Sequence, residues 1–290
     1  MRKIRTIAVL PTLFTLGNLV CGFFSIVVAS RVERPNSPNA PTATELRRYD
    51  PVGMMESFDP TDPTHNIMLS GWLIFLAMIF DALDGHVARL ARTSSEFGAE
   101  LDSLCDVVSF GVAPGFLLVK MCPYMAFYHP EAIWVIAAAL PVCAALRLAR
   151  FNVETPTDDD HFTFSGLPSP ASAGSIAGFA ILFYTLRRET STLENLQRID
   201  LIMEVWVCVF ALFAAALMVS RIPYPHVTNR IFRGQRSFGH IVALVFALVA
   251  IMVVRGYSIP VLCSLFVLLP PVQFLWQRFR QRNAASEPLF

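Results

Sequence analysis

The chain has 290 residues, 54% of them hydrophobic and only 16% charged, against about 25% charged in ordinary soluble domains. Its net charge is +1, with no basic tract and no nucleic-acid motif, so composition sets nucleic acid aside and points to a lipid bilayer. The six cysteines stand singly in apolar segments without the spacing of a zinc site, which makes them small buried apolar residues.

The chain starts "MRKIRTIAVLPTLFTLGNLVCGFFSIVVAS", a basic end followed by an apolar run of about 22 residues. That is long enough to span a bilayer, so it is expected to be a retained first helix and not a cleaved signal. Further apolar stretches bring the expectation to about eight transmembrane helices, near 8–29, 68–89, 100–121, 131–150, 169–186, 202–220, 239–255 and 259–277. Backbone groups in lipid must bond within their own segment, so the fold class expected is all-α, a polytopic integral-membrane helical bundle. Residues 31–66, rich in Pro, Asn, Thr and Asp, are expected to form a polar external loop. Residues 1–290 are taken as one membrane domain.

Threading the eight helices with the N-terminus inside leaves fourteen Lys and Arg residues on the inner side and eight on the outer. The excess predicts both termini in the cytoplasm. The basic stretch "RIPYPHVTNRIFRGQR" belongs to this inner set; besides fixing topology, it could attract anionic headgroups.

The chemistry concentrates in residues 80–110, "FDALDGHVARLARTSSEFGAELDSLCDVVSF". On a helix, Asp81, Asp84, Gly85, Ala88 and Arg89 share one face, and Asp102 and Asp106 share a face of the next helix. Between them "TSSE", residues 93–96, has the pattern of a capping box and marks a turn. The pairs Asp84/Asp102 and Asp81/Asp106 are both centred at position 93 to within half a residue, so a helical hairpin brings four carboxylates to matching depths. Four such acids in a low dielectric need protons or cations beside them. An all-oxygen donor set suits a hard cation such as Mg²⁺ or Mn²⁺, and four acids can hold two. Two metals so held clamp the oxygens of a phosphoryl transfer. Arg89 offers a fork of donors to a phosphate, and Gly85 and Gly98 leave room for a ligand against the backbone.

The segment "DALDGHVARLARTSSEFGAELDSLCD" matches D-x2-D-G-x2-A-R-x8-G-x3-D-x3-D and so resembles the CDP-alcohol phosphotransferase family. Within that family, "FGAELDSLCDVVSFGVAPG", "RLARFNVET", "FSGLPSPASAG" and "LMVSRIPYP" are similar to the phosphatidylserine synthase branch, which uses CDP-diacylglycerol and L-serine. The resemblance runs from the first helix to about Pro225. It implies a six-helix core, two divalent cations (Mg²⁺ or Mn²⁺) on Asp81, Asp84, Asp102 and Asp106, and Asp106 as general base. It further implies that Gly85, Ala88, Arg89, Ser95 and Gly98 hold CDP-diacylglycerol. A homodimer in a bacterial inner membrane, with a cytoplasmic site, is also implied. The family's first helix often carries Pro-Asn-x-x-Thr near the nucleotide. Here the stretch is "PTLFT", so Thr12 replaces the Asn while Thr15 is kept.

Serine brings a carboxylate that the acids would repel, so a cation elsewhere must receive it. Arg150, with Arg147 on the same helical face and Asn152 nearby, is the candidate; residues snorkelling to the interface are the plainer alternative. The "GLPSP" turn, residues 166–170, either shapes a serine pocket or simply starts a helix. The metal motif is blind to the acceptor, so glycerol 3-phosphate, an inositol phosphate or choline remain alternatives to serine. An intramembrane cation transporter is the rival from another class, since acids within helices also mark ion pathways.

Overall fold

A computed structural model describes residues 9–32, 63–91, 96–153, 163–189, 193–225 and 255–284. Its elements, in order, are α1 (Val9–Ser30), α2 (Pro63–Ala91), α3 (Glu96–Val107), a π-helical turn (Val108–Val112), α4 (Ala113–Met121), α5 (Pro123–Tyr128) and α6 (Pro130–Val153). There follow β1 (Thr163–Ser165), α7 (Ser169–Glu189), α8 (Leu193–Val219), β2 (Pro223–Pro225), a 3₁₀ turn (Arg255–Tyr257) and α9 (Ser258–Ala284). Among the described residues seven segments are long and apolar enough to cross a membrane, and they correspond to seven of the eight expected. The eighth, 239–255, lies outside the described residues except for Arg255. The protein is an integral membrane protein built of helices.

The first helix presents apolar residues outward and polar ones inward, the reverse of a helix in a soluble protein. On α1, Leu13, Leu16, Val20 and Phe23 are exposed, whereas Thr15, Asn18 and Ser25 are buried. The apolar side suits lipid and the polar side faces other helices, where Ser25 Oγ and Ser70 Oγ lie 2.8 Å apart between α1 and α2. α1 packs along α2, α2 also along α7, α6 along α8, and α7 along α9. All six cysteines are free; Cys21, Cys105, Cys122 and Cys208 are buried, and Cys143 and Cys263 are half-buried.

Four local features differ from what the sequence leads one to expect. The stretch expected as one helix over 100–121 is interrupted by the π turn, whose Ala113 N–H reaches back to Val108 O. Pro114 follows immediately and has no N–H for the ordinary helical bond, so the ladder widens before it. Here α6 comes close: a Cβ on Gly111 would sit 2.8 Å from Pro141 Cα, and one on Gly115 2.7 Å from Ala137 O. The loop expected over 31–66 ends sooner, because α2 already starts at Pro63. His65 and Asn66 look like loop residues by hydropathy, yet both are buried in α2, and His65 Nε2 lies 3.3 Å from Tyr184 Oη on α7. The short helix α5 has no counterpart among the expected elements, nor has the small antiparallel ribbon in which Phe164 pairs with Tyr224. That ribbon is a minor addition to an otherwise helical fold.

Gly166 closes the turn between β1 and α7. Its φ is 89°, and a Cβ there would meet Met218 O at 2.5 Å and Ser220 O at 2.8 Å, so both backbone angle and space call for glycine. Its N–H donates to Ile222 O, and that of Leu167 donates to Leu217 O. The first turn of α7 is thereby fixed to the end of α8.

Candidate active site

The hairpin of α2 and α3 brings its acids together. One carboxylate oxygen from each of Asp81, Asp102 and Asp106 lies within 4.8 Å of the others. Asp84 stands beside this trio and is buried, as is Asp106, while Asp81 and Asp102 are half-buried. Like-charge neighbours cross the hairpin: Asp102 is the strongest for both Asp81 and Asp84, and Asp81 is the strongest for Asp106. Asp84 Oδ2 and Asp102 Oδ1 are buried and have no hydrogen-bond partner among the described residues. Leaving such oxygens unsatisfied is costly, and a cation would satisfy them. The donor set is all oxygen and its spacing is compact, so these residues fit hard divalent ions.

The first helix reaches this cluster. Thr15 lies within hydrogen-bonding reach of Asp84, and its Oγ1 also approaches Pro11 O at 3.1 Å. One turn further, Asn18 Nδ2 donates to Asp106 Oδ1 at 3.0 Å, and the backbone carbonyl of Asn18 accepts from Ser109 Oγ, also at 3.0 Å. Asn18 is absent from the candidates that the sequence alone yields. The signal that marks it is the run of polar or small residues at 15, 18, 22 and 25, a one-sided stripe along an apolar helix.

The residues expected to hold CDP-diacylglycerol are placed to differing degrees. Gly85 has no described residue within 4 Å of where a Cβ would stand, which leaves room beside the acids there. Gly98 lies in the first turn of α3, and Ala88 and Arg89 lie in the last turn of α2; nothing is described of the side chains of Ala88 and Arg89. Ser95 lies outside the described residues.

On α6, half-buried Arg147 has Asp106 and Asp81 among its attractive neighbours, and its Nη1 donates to Ser169 Oγ at 3.0 Å. Arg150 turns elsewhere, with Nη1 3.1 Å from Val219 O and Nη2 3.4 Å from Ser220 O, and so covers the last carbonyls of α8. Asn152 Nδ2 donates to Ser103 Oγ at 3.2 Å, which joins the end of α6 to α3 next to Asp102. The cluster, Arg147 and the first turn of α7 therefore lie at one end of the bundle.

These features define a helical membrane protein with an acidic centre suited to divalent cations and a cation of its own beside it. The sequence matches the CDP-alcohol phosphatidyltransferase family over residues 8–217, and the chain belongs to that family. The family is enzymatic and uses metals. A curated relative from Helicobacter pylori named CDP-diacylglycerol–serine O-phosphatidyltransferase is 35% identical over 190 residues, covering 65% of this chain and 71% of its own. One of the same name from Methanocaldococcus jannaschii is 42% identical over 160 residues, 55% of this chain and 65% of its own. Another from Saccharomyces cerevisiae is 38% identical over 129 residues, 42% of this chain and 45% of its own.

Proposed function

We infer that this protein is a phosphatidylserine synthase: it transfers the phosphatidyl group of CDP-diacylglycerol to the hydroxyl of L-serine, giving phosphatidylserine and CMP. The observation that carries the reading is the convergence of Asp81, Asp102 and Asp106 within 4.8 Å, on a hairpin whose residues fit the family motif at all eight positions. Relatives that share the name of this activity, from a bacterium, an archaeon and a yeast, support the choice of serine.

In this reading Asp81, Asp84, Asp102 and Asp106 hold two divalent cations, Mg²⁺ or Mn²⁺. Bound there, the cations would supply positive charge to the diphosphate and to the departing CMP. Gly85 leaves space for the nucleotide diphosphate, and the family resemblance assigns Thr15, Ala88, Arg89, Ser95 and Gly98 to the same substrate. Arg89 offers a bidentate fork to a phosphate. Arg147 receives the serine carboxylate, with Ser169 holding its guanidinium, while Arg150 and Asn152 brace the ends of α8 and α3 around the pocket.

Asp106 takes the proton from the serine hydroxyl as the oxygen attacks the phosphorus that bears diacylglycerol. A bond forms between serine oxygen and phosphorus, the phosphorus–oxygen bond to CMP breaks, and CMP departs with the electron pair. Positioning and electrostatics supply most of the acceleration, as in phosphoryl transfer generally. The excess of inner Lys and Arg supports a site open to the cytoplasm, and a bacterial inner membrane is our expectation for its home. A homodimer is our expectation from the family resemblance.

The test is to give purified protein CDP-diacylglycerol with serine, glycerol 3-phosphate, an inositol phosphate or choline in turn, and to follow lipid product and CMP. Serine alone should yield both. Product from another acceptor would reassign the substrate, and no CMP release from any of them would count against an enzyme and for a transporter.

A further inference from the structure

Asn18 is fully buried in a helix whose neighbouring positions face lipid. A buried amide is costly unless bonded; here Nδ2 donates to Asp106 Oδ1, and the backbone carbonyl of the same residue accepts from Ser109 Oγ, so Asn18 meets the hairpin at two points. These two residues are three apart on the chain, at the junction of α3 and the π turn. Gly22 lies one turn beyond Asn18 on α1, and a Cβ there would fall against Ser109 Oγ and, at 2.7 Å, Ser109 Cα. α1 and the α3–π junction therefore meet through residues small enough to bring the Asn18 amide onto Asp106.

We propose that Asn18 is the positioning residue for Asp106: its amide N–H fixes the rotation of that carboxylate and thereby sets both the cation site and the orientation of the base. The assignment builds on the reading of Asp106 as ligand and base given above. An ionised carboxylate only accepts, so Asn18 must present Nδ2 to it, which settles which way the amide faces. Its Oδ1 is then left buried with no donor among the described residues. With Oδ1 of Asp106 held, the carboxylate cannot turn about its Cβ–Cγ bond without losing that hydrogen bond.

Residue chemistry explains why an amide suits this place. An Arg or Lys would orient Asp106 equally well but would offset its charge and compete with a divalent ion. An Asp would add a fifth carboxylate to the cluster, and a Leu would give Asp106 Oδ1 no donor. A neutral donor orients the group and leaves four negative charges, which two divalent cations match. Partners of metal ligands act in this way in many sites, and their removal typically costs about 10- to 100-fold in affinity or activity.

The experiment uses the full-length protein in detergent or nanodiscs, with Mn²⁺ binding followed by electron paramagnetic resonance and turnover followed by CMP release. Asn18→Ala should weaken Mn²⁺ binding and lower kcat, each by about 10- to 100-fold, while the KM for serine stays within about twofold. Asn18→Ser, which keeps a shorter donor, should fall between. Ser25→Ala removes a buried hydrogen bond elsewhere on α1 and should lower thermal stability with Mn²⁺ affinity unchanged. Native Mn²⁺ affinity and kcat in folded Asn18→Ala would overturn the proposal. If Asn18→Ala does not fold, Asn18→Ser decides, and failure of both to fold would make Asn18 a packing residue and also overturn it. The Mn²⁺ arm does not depend on the acceptor: wild-type protein that makes no phosphatidylserine would end the functional reading and leave the role of Asn18 still decided by metal binding.

Discussion

Arg147 Nη1 donates to Ser169 Oγ across 3.0 Å, joining α6 to the first turn of α7 while the same guanidinium lies within electrostatic range of Asp81 and Asp106. This relationship separates two arginines of which the sequence reading puts Arg150 first, because Arg150 is directed to the carbonyls of Val219 and Ser220. Arg147→Ala should raise the KM for serine by about 10-fold or more, the equivalent of losing a charge-assisted hydrogen bond of about 1.5–3 kcal/mol. Arg147→Lys should recover only part of it, since an ammonium lacks the fork. Steady-state kinetics with varied serine checks both. An Arg150→Ala enzyme should lose stability first, and unchanged serine dependence in it would remove Arg150 from the pocket.

Gly22 and Gly85 should respond oppositely to alanine. At Gly22 the new methyl would meet Ser109, and overpacking of this kind costs about 1–3 kcal/mol, visible as a lower Tm in detergent. At Gly85 no described residue stands within 4 Å, so Gly85→Ala should keep or slightly raise Tm, a helical alanine being favoured by up to about 1 kcal/mol. Its cost should appear in weaker binding of CDP-diacylglycerol, measured by titration of the substrate.

Tyr224, on the ribbon outside the spanning segments, donates its hydroxyl to Val267 O at 3.0 Å and ties β2 to α9. Burial pushes its phenol up to about 12 from an ordinary 10.0. The folded state therefore favours the protonated form. This contribution to stability is complete below pH 10.0 and is lost as the pH rises through about 12. Thermal unfolding between these limits should show the decline, and Tyr224→Phe should abolish the Tyr224 part of it while lowering stability at neutral pH by about 0.5–1.5 kcal/mol.

Much of the site was legible because its acids lie at intervals of three, four and eighteen residues about a recognisable helix start, so helical geometry alone brings them together. Arg150 stands ahead of Arg147 on spacing alone, which carries no information on where α8 ends and so none on the carbonyls of Val219 and Ser220 that Arg150 meets. Asn18 was hidden for a different reason: a lone amide in an apolar helix has many packing explanations, and only the contact with Asp106 selects one. Helix ends were misplaced at His65 and Asn66, where polar residues are buried by tertiary contact and hydropathy reports a loop. The π turn and the ribbon at Gly166 arise from single residues, Pro114 and Gly166, whose effect depends on the neighbour they meet.

The central claim is that the carboxylate cluster of the hairpin performs metal-dependent transfer to serine, and Asp106 tests it most directly. CMP release from CDP-diacylglycerol and serine should be followed for wild-type and Asp106→Asn proteins, with divalent ions removed by a chelator and then restored. Wild-type turnover should stop with the chelator and return with Mg²⁺ or Mn²⁺, and Asp106→Asn should give no turnover while CDP-diacylglycerol still binds. Full activity of Asp106→Asn, or phosphatidylserine formed in the presence of the chelator, would contradict the account.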